Sequence, residues 1–366
     1  MAPTTPTVPV FSRPFMLAAA SSSPTPPASP ATAFQAPMAN LQQDDAFVPP
    51  CPIRAEKDAN LALDALAAIP MPACCDAEPV PTTPRLFPPI DFVAVERDVY
   101  AYVTRTTLGD AAPAASNTTS TPEAAVARLQ AIITDAVGVL EAALHQFTPK
   151  HLALSFNGGK DCTVLLHLLA AVLHRGQRLG AWDYDTSAVQ TVYVMQANGF
   201  DEEHEFVAKC AARYNLAVDT LPGPMQSALA TYTDRHPFIR AVCVGTRRTD
   251  PWASHLCPMH KCDPGWPDLV RVHPVLDWAF ADIWLFLLAL RVEYCVLYDH
   301  GYTSLGPKDR TMPNPDLKKE GGKGYWRAWR LRDSARERCG RMPALSMPAA
   351  VGKGEEGATA NGAASA

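Results

Sequence analysis

"LALSFNGGKDCTVLLHLL", residues 152–169, decides the fold. Leu152 to Leu154 form a short apolar run, Ser155-Phe156-Asn157-Gly158-Gly159-Lys160-Asp161 interrupts it, and apolar positions resume at Val164, Leu165, Leu168 and Leu169 with helical spacing. The stretch reads as strand, glycine turn, helix. Two adjacent glycines let backbone N–H groups turn inward, and the following helix adds the partial positive charge of its N-terminus, so the turn suits an anion such as a phosphate. The same pair of glycines also suits a plain strand–helix turn, so the loop alone does not establish a site.

Outward from this stretch, strands and helices alternate. Strands are predicted over 151–156, 190–195, 216–220, 240–245 and 270–275, and helices over 161–174, 201–214, 224–233 and 280–290. Upstream lie two further helices, 92–106 and 122–146, joined by the polar stretch 109–123. Thr121 is placed to cap the second of them, with Pro122 at its first position and Glu123 in its first turn. Alternation of this kind implies right-handed crossovers. The fold class is therefore α/β, a mostly parallel open sheet with helices on both faces, Rossmann-like, with ligands at the carboxyl ends of the strands.

The flanks read differently. Residues 1–88 are dense in Pro, Ala, Ser and Thr, a composition expected to leave a disordered arm with one short helix at 60–68, and 346–366 reads as a flexible tail. The domain proper is 89–345. A net charge of −5 argues against nucleic acid as a partner, and no apolar run approaches the roughly 20 residues of a membrane span. Ten cysteines, several in apolar contexts, read as reduced thiols, which favours a cytoplasmic location; a mitochondrial address stays open. No heptad pattern points to an oligomer, so a monomer is expected.

The loop is not a Walker A motif. That motif needs a glycine five residues before Gly159 and Ser or Thr after Lys160, where this chain has Leu154 and Asp161. A carboxylate beside phosphates repels them unless a divalent cation intervenes, so Asp161 is expected to hold or orient Mg²⁺. A second motif, Gly245-Thr246-Arg247-Arg248-Thr249-Asp250-Pro251, follows an apolar strand. Its two arginines can pair with phosphate, and Asp250 can accept from a hydroxyl or orient an arginine. Asn198 follows the strand ending at 195 and faces the same crevice, while Asp201 and Glu202 just beyond it read as a helix start.

Taken together, Ser155 to Cys162 resembles the PP-loop of the adenine nucleotide alpha-hydrolase group, whose members break ATP between the alpha and beta phosphates. "VGTRRTDP" (244–251), "WPDLVRVHPVLDWAFADIW" (266–284) and "LRDSARERCGR" (331–341) extend the resemblance to the PAPS reductase-like branch, and within it to the fungal-type FAD synthases, or FMN adenylyltransferases, over about 91–343. The resemblance implies that ATP and FMN are substrates and Mg²⁺ a cofactor. Ser155, Asn157, Gly158, Gly159 and Lys160 would bind the triphosphate. Gly245, Arg247, Arg248 and Asp250 would form a flavin-side motif, with Asp263, Trp266, Asp268 and Arg271 bordering the flavin and Trp266 able to stack on its ring. Arg338 and Arg341, three apart and so expected on one helical face, would neutralise the reacting phosphates.

Three alternatives stand beside this reading. "ERCGR" also resembles the C-terminal cysteine context of PAPS reductases, which would make Cys339 a nucleophile. His255, Cys257, His260 and Cys262 invite a zinc reading, but their spacing lacks a second ligand pair, and a surface loop is expected there. Trp326 and Trp329 beside Arg327 and Arg330 suggest a nucleic-acid stripe, but an amphipathic helix accounts for them.

Overall fold

A computed structural model describes residues 90–103, 122–182 and 188–342, all within the unit Pro49–Ala366. The predicted arm, its short helix, the Thr121 cap and the tail lie outside the described residues. Six strands form one sheet: β1 (Leu152–Ser155), β2 (Val189–Met195), β3 (Leu216–Pro222), β4 (Ala241–Cys243), β5 (Met259–Lys261) and β6 (Val270–Val272), in the order β3-β2-β1-β4-β6-β5. All neighbours pair parallel except β5, which runs antiparallel along the β6 edge.

The helices are α1 (Phe92–Val103), α2 (Pro122–Phe147), α3 (Lys160–Arg178), α4 (Asp201–Tyr214), α5 (Met225–Arg235) and α6 (Phe280–Ala289). The pleat of the central strand separates the layers, because successive side chains point to opposite faces. Leu152 and Leu154 join the main core with residues of α1, α2, α3, α4 and α6, whereas Ala153 joins Val192, Val242 and three α5 residues on the other face. Helices thus cover both faces, as the alternation implies. Burial of Ile283, Trp284 and Phe286 anchors α6, each such side chain contributing about 1.5–3 kcal/mol. Arg128 on α2 braces it further, donating to both oxygens of the fully buried Asp282 at 2.9 and 2.6 Å.

Strand order fixes the site. The chain proceeds from β1 to β2 to β3 on one side and then crosses to β4 on the other side of β1, so the order reverses between β1 and β4. The carboxyl ends of those two strands open onto a topological switch point, where open α/β sheets bind their ligands.

Four expectations are corrected here. Residues 259–261 form the edge strand β5 rather than part of a surface loop. β6 stops at Val272 instead of 275, since His273 turns its N–H to Pro258 O (2.7 Å) and Pro274 has no N–H to offer. The stretch around Trp326 is not an amphipathic helix: only Ala328–Arg330 makes a single 3₁₀ turn, with the Arg330 guanidinium 5.2 and 5.1 Å from the Trp326 and Trp329 ring centres. Arg338 and Arg341 share a turn, not a helical face. Arg341 N–H donates to Arg338 O at 2.8 Å, and Arg341 then pairs antiparallel with Thr311.

Candidate active site

The glycine loop is built from its own backbone upward. Phe156 N–H closes on Val192 O of β2 at 3.0 Å, extending β1 by one residue. Gly158 then adopts φ +76°, and a Cβ there would also press on Val207 at 3.1 Å, so glycine is required twice over. Gly159 caps α3 and donates its N–H to Asn157 Oδ1 at 3.0 Å, while Cys162 Sγ lies 2.9 Å from the same oxygen. The Asn157 oxygen therefore shapes the loop, and its Nδ2 makes no hydrogen bond among the described residues. Lys160 N–H, at the start of α3, donates to the hydroxyl of buried Tyr298 at 2.8 Å.

Gly245 shows why the second motif begins with glycine. A Cβ at this position would sit 2.8 Å from Cys162 N and 3.0 Å from Asp161 C, so the exit of β4 packs directly on the backbone of the loop helix. Arg247 is thereby delivered beneath the loop, 1% exposed. Its Nε lies 2.7 Å from Asp161 Oδ1, and its Nη2 lies 2.6 Å from each oxygen of Glu337. Lys160, 2% exposed, completes a square, with Nζ 2.6 Å from Glu337 Oε1 and 3.0 Å from Asp161 Oδ2. Asp250 accepts the Arg247 backbone N–H at 2.9 Å and so fixes the turn.

Two cations and two anions lock together here. Burial alone would raise the Asp161 pKa, but Arg247 and Lys160 outweigh it and hold the carboxyl below its usual value, so it is ionised. Burial opposes charge on Arg247 as well, and Asp161 and Glu337 more than offset that. Lys160 and Arg247, expected to grip phosphate, are paired with carboxylates in this network. Arg248 is also engaged: it pairs with Asp277 at 2.6 Å and donates to Ser254 O and Leu256 O, bracing the turn that follows. Glu337 and Tyr298 were missed by the sequence reading: Glu337 lies within "ERCGR" but was given no role there, Tyr298 belongs to no motif, and they lie 177 and 138 residues from Lys160.

Beside the loop, β2 ends at Met195 and α4 begins at Asp201, confirmed as a helix start with three acids in its first turn. A cleft of about 540 Å³ opens there, lined by Asn198, Pro307, Arg310 and Arg341 among others. Lys308 N–H donates to Asn198 O at 2.7 Å, tying the cleft's two sides. Arg341 is half-buried, lies against Gly306, and donates to Leu305 O; burial, then Arg338, then Arg310 push its pKa below the usual guanidinium value. Arg338 is exposed. Glu203, buried in α4, has its backbone oxygen against Gly158, and burial raises its carboxyl to about 7 despite the opposing charge of Arg341.

The remaining sequence candidates cluster elsewhere. Arg271 pairs with Asp263 at 3.3 Å and Lys261 with Asp268 at 3.2 Å, both across the β5–β6 hairpin. Trp266 N–H closes that turn on Asp263 O at 3.1 Å, and Gln226 of α5 donates to Gly265 O at 2.6 Å. Trp266 is 37% exposed, and none of these four side chains bonds to the loop network.

This fold, with its glycine loop at the switch point, defines a PP-loop α/β protein of the PAPS reductase-like class. A family profile described as "Phosphoadenosine phosphosulfate reductase domain" matches residues 151–233 and 222–313. A probable FAD synthase of Schizosaccharomyces pombe is 38% identical over 224 residues, 61% of this chain and 84% of the relative. A probable FAD synthase of Caenorhabditis elegans is 38% identical over 213 residues, 57% of this chain, and the match spans only 40% of that longer relative. Candida glabrata FMN adenylyltransferase, solved in complex with FAD and inorganic pyrophosphate, superposes with a TM-score of 0.61 at 25% identity, covering 69% of this chain and 97% of that one. The chain belongs to the FAD synthase family.

Proposed function

We propose that this chain transfers AMP from MgATP to FMN, giving FAD and pyrophosphate. One observation carries the reading: a glycine loop sits at the switch point of the sheet, and beyond the end of the neighbouring strand β2 a cleft bears Arg310 and Arg341, which have no carboxylate in ion-pair range among the described residues. Family membership supports it. An FMN phosphate oxygen attacks the alpha phosphorus of ATP, a new P–O–P link forms, the alpha–beta bond breaks, and pyrophosphate leaves. The FMN phosphate is already ionised near neutral pH and needs no general base. The protein's part is positioning and charge stabilisation.

The residues divide that work. The Gly158 N–H, with the Ser155 hydroxyl and Asn157 Nδ2, binds the triphosphate at the N-terminus of α3, while the Gly159 N–H holds Asn157 in place. Arg338 and Arg341 offset the charge of two approaching anions. Asn198 shapes the cleft floor. Asp263, Trp266, Asp268 and Arg271 form the flavin border in this reading, with the partly exposed Trp266 ring available for stacking.

Mg²⁺ fits the donor set. Asp161 is ionised and its side chain is 22% exposed; Oδ1 is buried against Arg247, so Oδ2, 3.0 Å from Lys160 Nζ, is the oxygen left for an ion. No group of three His, Cys, Asp or Glu residues converges to hold a metal among the described residues. A single carboxylate is what Mg²⁺ uses when substrate phosphates and water supply its other ligands, so the ion would be held by Asp161 and ATP together. When bound it would neutralise phosphate charge. The test is to incubate the purified chain with MgATP and FMN and separate the products; equimolar FAD and pyrophosphate support the reading, and absence of FAD overturns it.

A further inference from the structure

Arg310 belongs to none of the sequence motifs, yet it lines the cleft beside Arg341. Its backbone is held by a short antiparallel ladder: Met342 N–H donates to Arg310 O at 3.0 Å, Met312 N–H donates to Gly340 O at 2.9 Å, and Thr311 bridges Arg341. A Cβ on Gly340 would collide with Met312 O, so the ladder closes tightly only around glycine. Segments 310–312 and 340–342 therefore present their arginines as one unit.

That unit carries charge that no ion pair neutralises among the described residues. Among the described residues the Arg310 guanidinium has no hydrogen bond or ion pair, and the same holds for Arg338. Arg341 bonds only to Leu305 O and Ser304 Oγ. Asp309 also lines the cleft, but it is exposed and makes no ion pair with any of the three. Like charges gathered with only buried Glu203 to oppose them at Arg341 repel one another, and an anion in the cleft relieves that repulsion. Guanidinium forks match phosphate oxygens in geometry as well as charge.

We propose that Arg310 is a further substrate-contacting residue, binding a pyrophosphate-type anion in this cleft together with Arg341. In the reaction proposed above, on which the inference rests, that anion is the beta–gamma part of ATP and then the leaving pyrophosphate.

Inorganic pyrophosphate is the probe, titrated calorimetrically into the full chain and its R310Q and R310K variants at two salt concentrations. R310Q is expected to weaken binding about tenfold and to flatten its salt dependence, as loss of one charge-assisted contact does, while R310K recovers part of the loss. Thermal unfolding of R310Q should match the parent, because the side chain is only half-buried. Equal affinity for R310Q and the parent, or no pyrophosphate binding by the parent, overturns the inference. The FAD assay separates the two claims: FAD formed with equal pyrophosphate affinity sinks the Arg310 role alone, whereas no FAD with weakened R310Q binding sinks the adenylyl-transfer reading and leaves the anion site standing.

Discussion

The glycine-loop network, the loop wall of the site, and the arginine-bearing cleft beyond β2, its far wall, handle positive charge in opposite ways. On the loop wall Lys160 and Arg247 are buried and matched by Asp161 and Glu337, every pairing at 2.6–3.0 Å. On the far wall Arg310, Arg338 and Arg341 stand exposed or half-buried with no carboxylate in ion-pair range among the described residues. The difference follows from desolvation. A charge taken out of water must find its counter-ion inside the protein, so it has little left for a ligand, whereas a solvated charge can be left open until one arrives. Arginines of the same chemistry thus serve as scaffold on one side and as binding groups on the other.

Removing a scaffold partner should do the most damage. Glu337→Gln leaves two buried cations facing one carboxylate, and breaking a buried pair costs about 3–5 kcal/mol. Denaturant unfolding is expected to lose that much, with activity lost as well; a change below about 1 kcal/mol would mean the network is not the buried square described. Arg341→Gln attacks the other wall. Turnover should drop by about 10²–10³-fold, as for loss of one charge-stabilising donor, while stability moves by no more than about 1 kcal/mol. Equal losses of stability from the two substitutions would erase the contrast between the walls.

Glu203 sharpens the comparison, because it is a buried carboxyl whose opposing charge, Arg341, only partly compensates it. Its folded pKa of about 7 lies above the ordinary value of 4.5. The folded state therefore binds this proton more tightly than the unfolded state, and the stability it contributes is full below about pH 4.5 and lost as pH rises through 7. Glu203→Gln should stabilise the protein at pH 8 by about 3 kcal/mol, with the advantage gone near pH 4.5. A pH-independent effect would remove burial as the cause. The smallest expected effect is that of Cys339→Ser. The thiol is exposed in a turn and holds no part of either wall, so FAD formation should be unchanged; loss of activity would revive a nucleophilic cysteine.

Sequence reached the loop wall's front but not its back. Leu152–Ser155, Gly158, Gly159 and Gly245 were legible because each satisfies a local rule, a strand run or a glycine that must approach backbone. The carboxylate partners of Lys160 and Arg247 were not legible, since a cation in a motif looks alike whether it meets phosphate or a buried carboxylate. Only Glu337 tells the two apart, and no spacing rule links residues 177 apart. β5 was invisible for another reason: Met259-His260-Lys261 has too few residues for alternation and takes its order from the β6 edge. From 291 onward the chain makes short 3₁₀ turns, which carry no hydrophobic period to read.

Glu337 has a consequence for how the molecule is made. A chain emerges from its N-terminus at about 5–20 residues per second, so roughly 10–35 s separate the synthesis of Lys160 from that of its partner. During that interval the sheet can assemble, but Lys160 and Arg247 have only Asp161 to balance them, and the loop helix cannot settle into its final seat. The nascent domain is completed by its last thirty described residues, which bring the missing carboxylate and two of the open arginines together. A premature stop anywhere before residue 337 would therefore leave a sheet with an unbalanced charge at its heart, marked for unfolding rather than a partly working enzyme.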